Sequence, residues 1–274
     1  MYVTFISKHH YRYYMAEDKQ LNGVAPDAPV NERTADTGVL EEMAKAGILF
    51  GRRKMRTNPK MKKFVFTTRN GFEIFDLTKT LDAIEQAKQF LATAVKTGQP
   101  ILFVGTEPAS QAATKAIAEK YNFPFVVERW LGGTLTNYKT ISERLGYYVK
   151  LKADAAAGKL EKYTKKERVA MDKEIARLTR LFGGLERLAT LPAVVVVSGA
   201  KSHDIAVREA NRANIPVIAI ANTDADPDRI TYPIPANDNN QSSITWILEK
   251  LAAGIEEGMK EKAFAAEAKK DIKK

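Results

Sequence analysis

Apolar positions along the chain fall into two alternating patterns. Ile101-Leu102-Phe103-Val104, Ala193 to Val197 and Pro216 to Ala221 are unbroken apolar runs of strand length, as in strands covered on both faces. Thr80 to Thr97 instead places Leu81, Ile84, Ala87, Leu91 and Val95 on one helical face and stops at Gly98, and Ile205 to Ala213 reads as a further helix. Pro108 starts another helix after the Gly105-Thr106-Glu107 turn, Leu40 to Ala46 reads as a short one, and Phe64-Val65-Phe66 and Phe72-Glu73-Ile74-Phe75 read as short strands. The alternation predicts an α/β fold, a doubly wound and mainly parallel sheet with helices on both faces.

Residues 141–188 break this rhythm. Ile141, Leu145 and Tyr148, then Met171, Ile175, Leu178, Phe182 and Leu185, follow helical spacing without an intervening strand pattern. Gly158 separates the two segments and Thr164-x-x-Glu167 is a capping box for the second, so a helical hairpin of coiled-coil type is expected as an insertion, either basic enough to touch RNA or a purely solvated arm. The α/β domain is then discontinuous, 39–140 with 189–258. Residues 1–38, polar and carrying Pro26 and Pro29, read as a mobile extension with Met15 as a second candidate start, and 259–274 as a fraying basic helix or tail. Pro233, Pro235, Asn237 and Asp238 read as an extended-to-turn passage before a helix from Ser243 to Ile255.

Charge narrows the class of partner. The 274 residues carry a formal charge of +10, which favours an anionic partner. The densest one-sign run is 51–72, where Arg52, Arg53, Lys54, Arg56, Lys60, Lys62, Lys63 and Arg69 occur without one acidic residue. A solvated face normally mixes signs, so this run reads as a phosphate-contact surface. Replacing Arg52, Arg53 and Arg56 with alanine is expected to leave the fold intact. The chain has no cysteine and only His9, His10 and His203, so thiolate and multi-histidine metal sites are not expected. No stretch reaches the ~20 apolar residues of a membrane span.

Three loops invite a chemical reading. Glu128 to Ile141 runs Arg129-Trp130-Leu131-Gly132-Gly133 into Leu135-Thr136-Asn137, where Thr136 or Asn137 can cap the next helix and its free amides could hold a phosphate. An ordinary turn around a core tryptophan accounts for the local features better, which leaves Trp130, Gly132, Gly133 and Thr136 as shaping residues and Arg129, Asn137 and Lys139 as candidate contacts. Ser198 to Asp204 reads as a strand-to-helix turn capped by Ser202, because it lacks the strained elbow of a serine nucleophile. Asn222 to Asp228 reads as a capped turn, since it lacks the glycine and distant glutamate of a calcium loop.

Several motifs in order resemble the bacterial small-subunit ribosomal protein S-two family. They are Phe50-Gly51, Asn58-Pro59-Lys60-Met61, Asn70-Gly71, Asp76-Leu77-x-Lys79-Thr80, Arg129-Trp130-Leu131-Gly132-Gly133 with Leu135-Thr136-Asn137, Ala206-Val207-x-Glu209-Ala210, Ile215-Pro216, Asp226-Pro227-Asp228 and Asn237-Asp238. The resemblance spans roughly 39–255 and implies a flavodoxin-like parallel sheet with a protruding hairpin. It implies a non-enzymatic, cytoplasmic ribosome component that touches small-subunit rRNA and neighbouring proteins and helps the OB-repeat protein S-one to dock, with no cofactor and no membrane. Candidate RNA contacts are therefore Arg52, Arg53, Lys54, Arg56, Asn58, Lys60, Lys62, Lys63, Arg129, Asn137 and Lys139. The chain departs from the family pattern at Leu49, Arg52, Thr57, His203 and Asp204, where histidine, histidine, tryptophan and Glu-His are usual. The alternative is an α/β nucleotide-binding protein or enzyme using the loop edge of the sheet.

Overall fold

The structure, a computed structural model, describes residues 37–271. The expectations for the N-terminal extension and for Met15 lie outside the described residues.

Five short strands form the central sheet: β4 (Ile101–Val104), β5 (Phe125–Val126), β6 (Val194–Val197), β7 (Val217–Ala221) and β8 (Tyr232–Pro235). They are all parallel and lie in the order β5-β4-β6-β7-β8. This is the doubly wound order in which the first two strands exchange places, so the winding direction reverses between β4 and β6. The passage with Pro233 and Pro235 is extended as expected and pairs as a strand, and the chain bends after it. It is tolerated because β8 sits at the sheet edge, where it pairs only with β7.

Strand alternation divides the core. Ile101, Phe103, Val194, Val196, Ile218, Ile220 and Ile234 face one layer, built from α1 (Thr37–Lys45), α2 (Leu77–Lys96), α3 (Pro108–Lys120) and α7 (Gln241–Asp271). Leu102, Val104, Val195, Val197, Val217, Ala219 and Ala221 face the other, built from α4 (Tyr138–Ala156), α5 (Lys165–Phe182) and α6 (Asp204–Arg212). Each wholly buried Ile, Leu or Val contributes about 1.5–3 kcal/mol, which is why these unbroken apolar runs dictate a covered sheet. Asp76 caps α2 by accepting from the Thr78 amide, and so begins that helix three residues before the expected start at Thr80. Thr164 and Glu167 form the reciprocal capping box of α5. Tyr148 of α4 donates to Thr179 of α5 and to Glu186.

Helix α7 runs past Ile255 to Asp271, through residues expected as a fraying helix or tail, and its seam with α2 continues as far as the ion pair of Lys96 with Glu261. Gly254 and Gly258 make that seam close: a Cβ on either would lie 2.5 Å from the carbonyl oxygen of Lys88 or Ala92. Gly254→Ala gains helix propensity of about 1 kcal/mol, yet it must push two backbones apart. A net loss of about 1–3 kcal/mol is expected in urea unfolding, by the cost of overpacking. A neutral result would show that the helices separate freely.

A second, antiparallel sheet is built before the first. Strands β1 (Phe50–Arg53), β2 (Val65–Arg69) and β3 (Phe72–Phe75) lie in the order β1-β3-β2, with β2 and β3 joined by an Asn70-Gly71 turn in which both residues have positive φ. Glu73 and Phe75 are buried on the inner face, while Phe72 stands on the outer one.

Candidate nucleic-acid interface

The basic run wraps the outside of this small sheet. Arg53, Lys54, Arg56, Lys62 and Lys63 are exposed, and none has a carboxylate partner among the described residues. Arg53 lies over the Phe72 ring at 5.5 Å and Lys63 over Phe64 at 5.0 Å. Asn58 acts locally: its side chain accepts from the Lys60 amide and starts the 3-10 turn Pro59–Phe64, whose Met61 plugs into the core. Lys60 is neutralised by Asp226 at 3.1 Å and Asp228 at 2.7 Å.

Arg52 behaves differently from its neighbours. Its guanidinium donates to Asp238 at 3.1 Å and lies 3.7 Å from Asp224, while its amide donates to the Thr223 hydroxyl. Asp238 also accepts from Asn222 and is buried. Burial pushes the Asp238 carboxyl above its usual range, against the opposing pull of the Asn222 hydrogen bond and the Arg52 charge. Arg52 is thus a counter-ion built into the fold. The expectation that its removal leaves the fold intact is corrected by this pairing.

The Arg-Trp-Leu-Gly-Gly loop is indeed an anion cradle, but its occupant is internal. The Glu209 carboxylate, on α6, accepts from Trp130 Nε1 at 3.1 Å and from the amides of Gly133 at 2.8 Å, Leu135 at 3.1 Å and Thr136 at 3.4 Å. The Thr136 hydroxyl adds a fifth donor at 3.4 Å. Burial pushes this carboxyl up, but the donors hold it below its ordinary range. Trp130 packs against the core and Gly133 turns with φ +88°, whereas Gly132, Arg129, Asn137 and Lys139 are exposed. Neither capping candidate caps α4 through its side chain. Asn137 holds the N-cap position, but its side chain accepts from the Thr140 hydroxyl, and Thr136 turns back to Glu209.

The reversal point between β4 and β6, where doubly wound folds take ligands, is filled by side chains. A Cβ at Gly105 would meet Thr114 Oγ1 at 2.3 Å and Ser110 Oγ at 3.0 Å, and Thr114 is hydrogen-bonded to Ser198 at 2.9 Å. His203 locks the two loops: Nε2 accepts from the Thr106 amide at 2.9 Å, which leaves Nδ1–H to donate to the Gly199 carbonyl at 2.7 Å. Burial depresses the His203 pKa and keeps the ring neutral. His203, not Ser202, stands at the N-cap of α6, and it makes no side-chain cap bond. A polar cavity of about 270 Å3 opens beside these loops, but Asp204, Asp224 and Asp226 line it together with Lys201 and Arg229. That rim repels a phosphate.

The match to known proteins is extensive. The family model described as ribosomal protein S2 matches residues 43–258, most of the chain. The chain belongs to the ribosomal protein S2 family. It is 40% identical over 219 residues to the small ribosomal subunit protein uS2 of Roseiflexus castenholzii, covering 80% of this chain and 83% of that one. The uS2 proteins of Dictyoglomus thermophilum and Salinispora tropica are 41% and 42% identical over 220 and 221 residues, each alignment covering 80% of this chain and 89% and 75% of the relative.

The S2 family is structural and non-enzymatic, and membership implies association with the small ribosomal subunit. No helix among the described residues is long and apolar enough to cross a membrane. In this S2-family chain the residues that do the local chemistry are partly ones that local sequence reading passes over. Glu209 and Asp238 were legible only as members of motifs, because their partners lie 76 and 186 positions away in Gly133 and Arg52.

Proposed function

We propose that the chain is seated on small-subunit ribosomal RNA and on neighbouring ribosomal proteins, and supports docking of ribosomal protein S-one. The cationic segment 51–63 is the main RNA contact, with Arg129, Asn137 and Lys139 beside it and the basic helices α4 and α5 as a second arm. The observation that carries this reading is the group Arg53, Lys54, Arg56, Lys62 and Lys63, exposed along one short segment of chain and without carboxylate partners among the described residues. Five such cations meeting phosphates give a log-log salt slope of about −4. Lys60 and Arg52 contribute less, since their charges are already met by aspartates.

The experiment is incorporation into small subunits across a salt series. The wild-type chain is expected to comigrate stoichiometrically at moderate salt. The triple substitution Arg53→Ala, Lys54→Ala, Arg56→Ala should keep the melting temperature, weaken association, and flatten the slope by about 2–3. Unchanged occupancy at every salt concentration would reject the assignment. Loss of S-one from subunits carrying a chain that itself remains bound is the separate readout for docking.

A further inference from the structure

The outer face of the small antiparallel sheet carries a chemistry that phosphate binding does not use. Cross-strand pairing puts Phe50 opposite Ile74 and Arg53 opposite Phe72, and on the other side Thr67 opposite Ile74 and Arg69 opposite Phe72. Residues directly opposite in an antiparallel pair point to the same side, so Phe50, Arg53, Phe72, Ile74, Thr67 and Arg69 share one face. Glu73 and Phe75 point the other way and are buried, so the only carboxylate of these three strands is withdrawn from that face. Phe50 is 45% exposed and Phe72 42%, large fractions for phenylalanines held in a ladder. Beside them, the turn Lys54–Arg56 is pinned to the hairpin tip by the Lys54 amide donating to the Gly71 carbonyl, and it holds Met55 98% exposed.

From this arrangement we propose that the outer face of β1-β3-β2 is a stacking platform for unpaired nucleotides of RNA. Two phenyl rings and the guanidinium of Arg53 offer flat surfaces to bases, the apolar Met55 covers an edge, and Lys54 and Arg56 follow the phosphates. Stacking accepts any base because every base has a π-face, whereas an RNA duplex hides its bases and offers only its backbone. An acidic protein segment would satisfy the cations, but it gives no use to two exposed rings on the same face. The proposal rests on RNA being the partner of the basic segment and adds which form of RNA is held.

The test is fluorescence anisotropy of the full chain with labelled single-stranded oligouridine and with an RNA duplex of equal length, at several salt concentrations. The single strand is expected to bind more tightly. Phe72→Ala should weaken single-strand binding about 10-fold or more, with duplex binding and salt slope unchanged, and Phe72→Trp should restore it. Phe50→Ala, checked for an unchanged melting curve, should act in the same direction. Equal affinity for both RNA forms with no effect of Phe72→Ala would overturn the platform, as would selective binding of an acidic peptide in place of oligouridine. If subunit incorporation persists in that case, only the platform fails; if incorporation is also absent, the seating proposal fails with it.

Discussion

Replacing Glu209 with alanine is expected to cost about 3–4 kcal/mol of stability, the largest effect of any single polar side chain in the α/β domain. The carboxylate organises five donors that come from one loop, and its removal leaves part-buried backbone amides and an indole N–H without their common acceptor. Hydrogen bonds to a charged group contribute about 1.5–3 kcal/mol, and orphaned buried donors cost more than the bonds themselves supplied. Glu209→Gln keeps the shape but turns an amide NH2 toward donors, so about 2–3 kcal/mol should still be lost. The sign of the pH dependence follows from the depressed carboxyl. Stability from Glu209 is complete above its ordinary pKa of 4.5 and is lost as pH falls through the lower folded value. Urea midpoints from pH 7 to pH 3 measure both statements. If Glu209→Gln matched the wild type throughout, the loop would be held by packing alone.

Arg52→Ala should be the second most damaging change, at about 2–3 kcal/mol. Arg53, Lys54 and Arg56, next to it in sequence, should each cost less than about 0.5 kcal/mol. The asymmetry arises because Asp238 is buried with a side-chain exposure of 2%, and Arg52 is its cationic partner. Without the guanidinium, burial drives the Asp238 carboxyl further up, so the variant's deficit should be widest at neutral pH and shrink in acid as the group takes a proton. Adding Asp238→Asn to Arg52→Ala removes the orphaned charge and should recover at least half of the loss. Costs that simply add in the double variant would mean that the two side chains are not coupled.

The sheet was legible because its apolar runs have one explanation: Ile101 to Val104 and Val194 to Val197 are buried at every position. The capping box at Thr164 was equally legible, since both partners lie within one turn. Strand β8 was obscured by Pro233 and Pro235, whose missing amides matter only if the strand has neighbours on both sides. The anion of the loop at Trp130 could not be found locally, because Glu209 joins it only through the fold. Asn137 failed as a cap for a short-range reason: Thr140, three positions on, takes its side-chain oxygen. Of the basic run, sequence marks every cation alike. Only the packing distinguishes Arg52 and Lys60, which neutralise aspartates, from Arg53, Lys54, Arg56, Lys62 and Lys63.

The anchor points of the basic segment also impose an order of events during synthesis. Arg52 waits for Asp238, 186 residues later in the chain, and the Asn58 amide waits for the Thr223 carbonyl. At about 5–20 residues per second, the strongest cationic stretch therefore leaves the translating ribosome some ~10–40 s before the residues that fix it can appear. Throughout that interval it has only the contacts of its own small sheet, such as the Lys54 amide to the Gly71 carbonyl, to hold it. The clamp of Arg52 with Asp238 can therefore close only after nearly the whole α/β domain has been made.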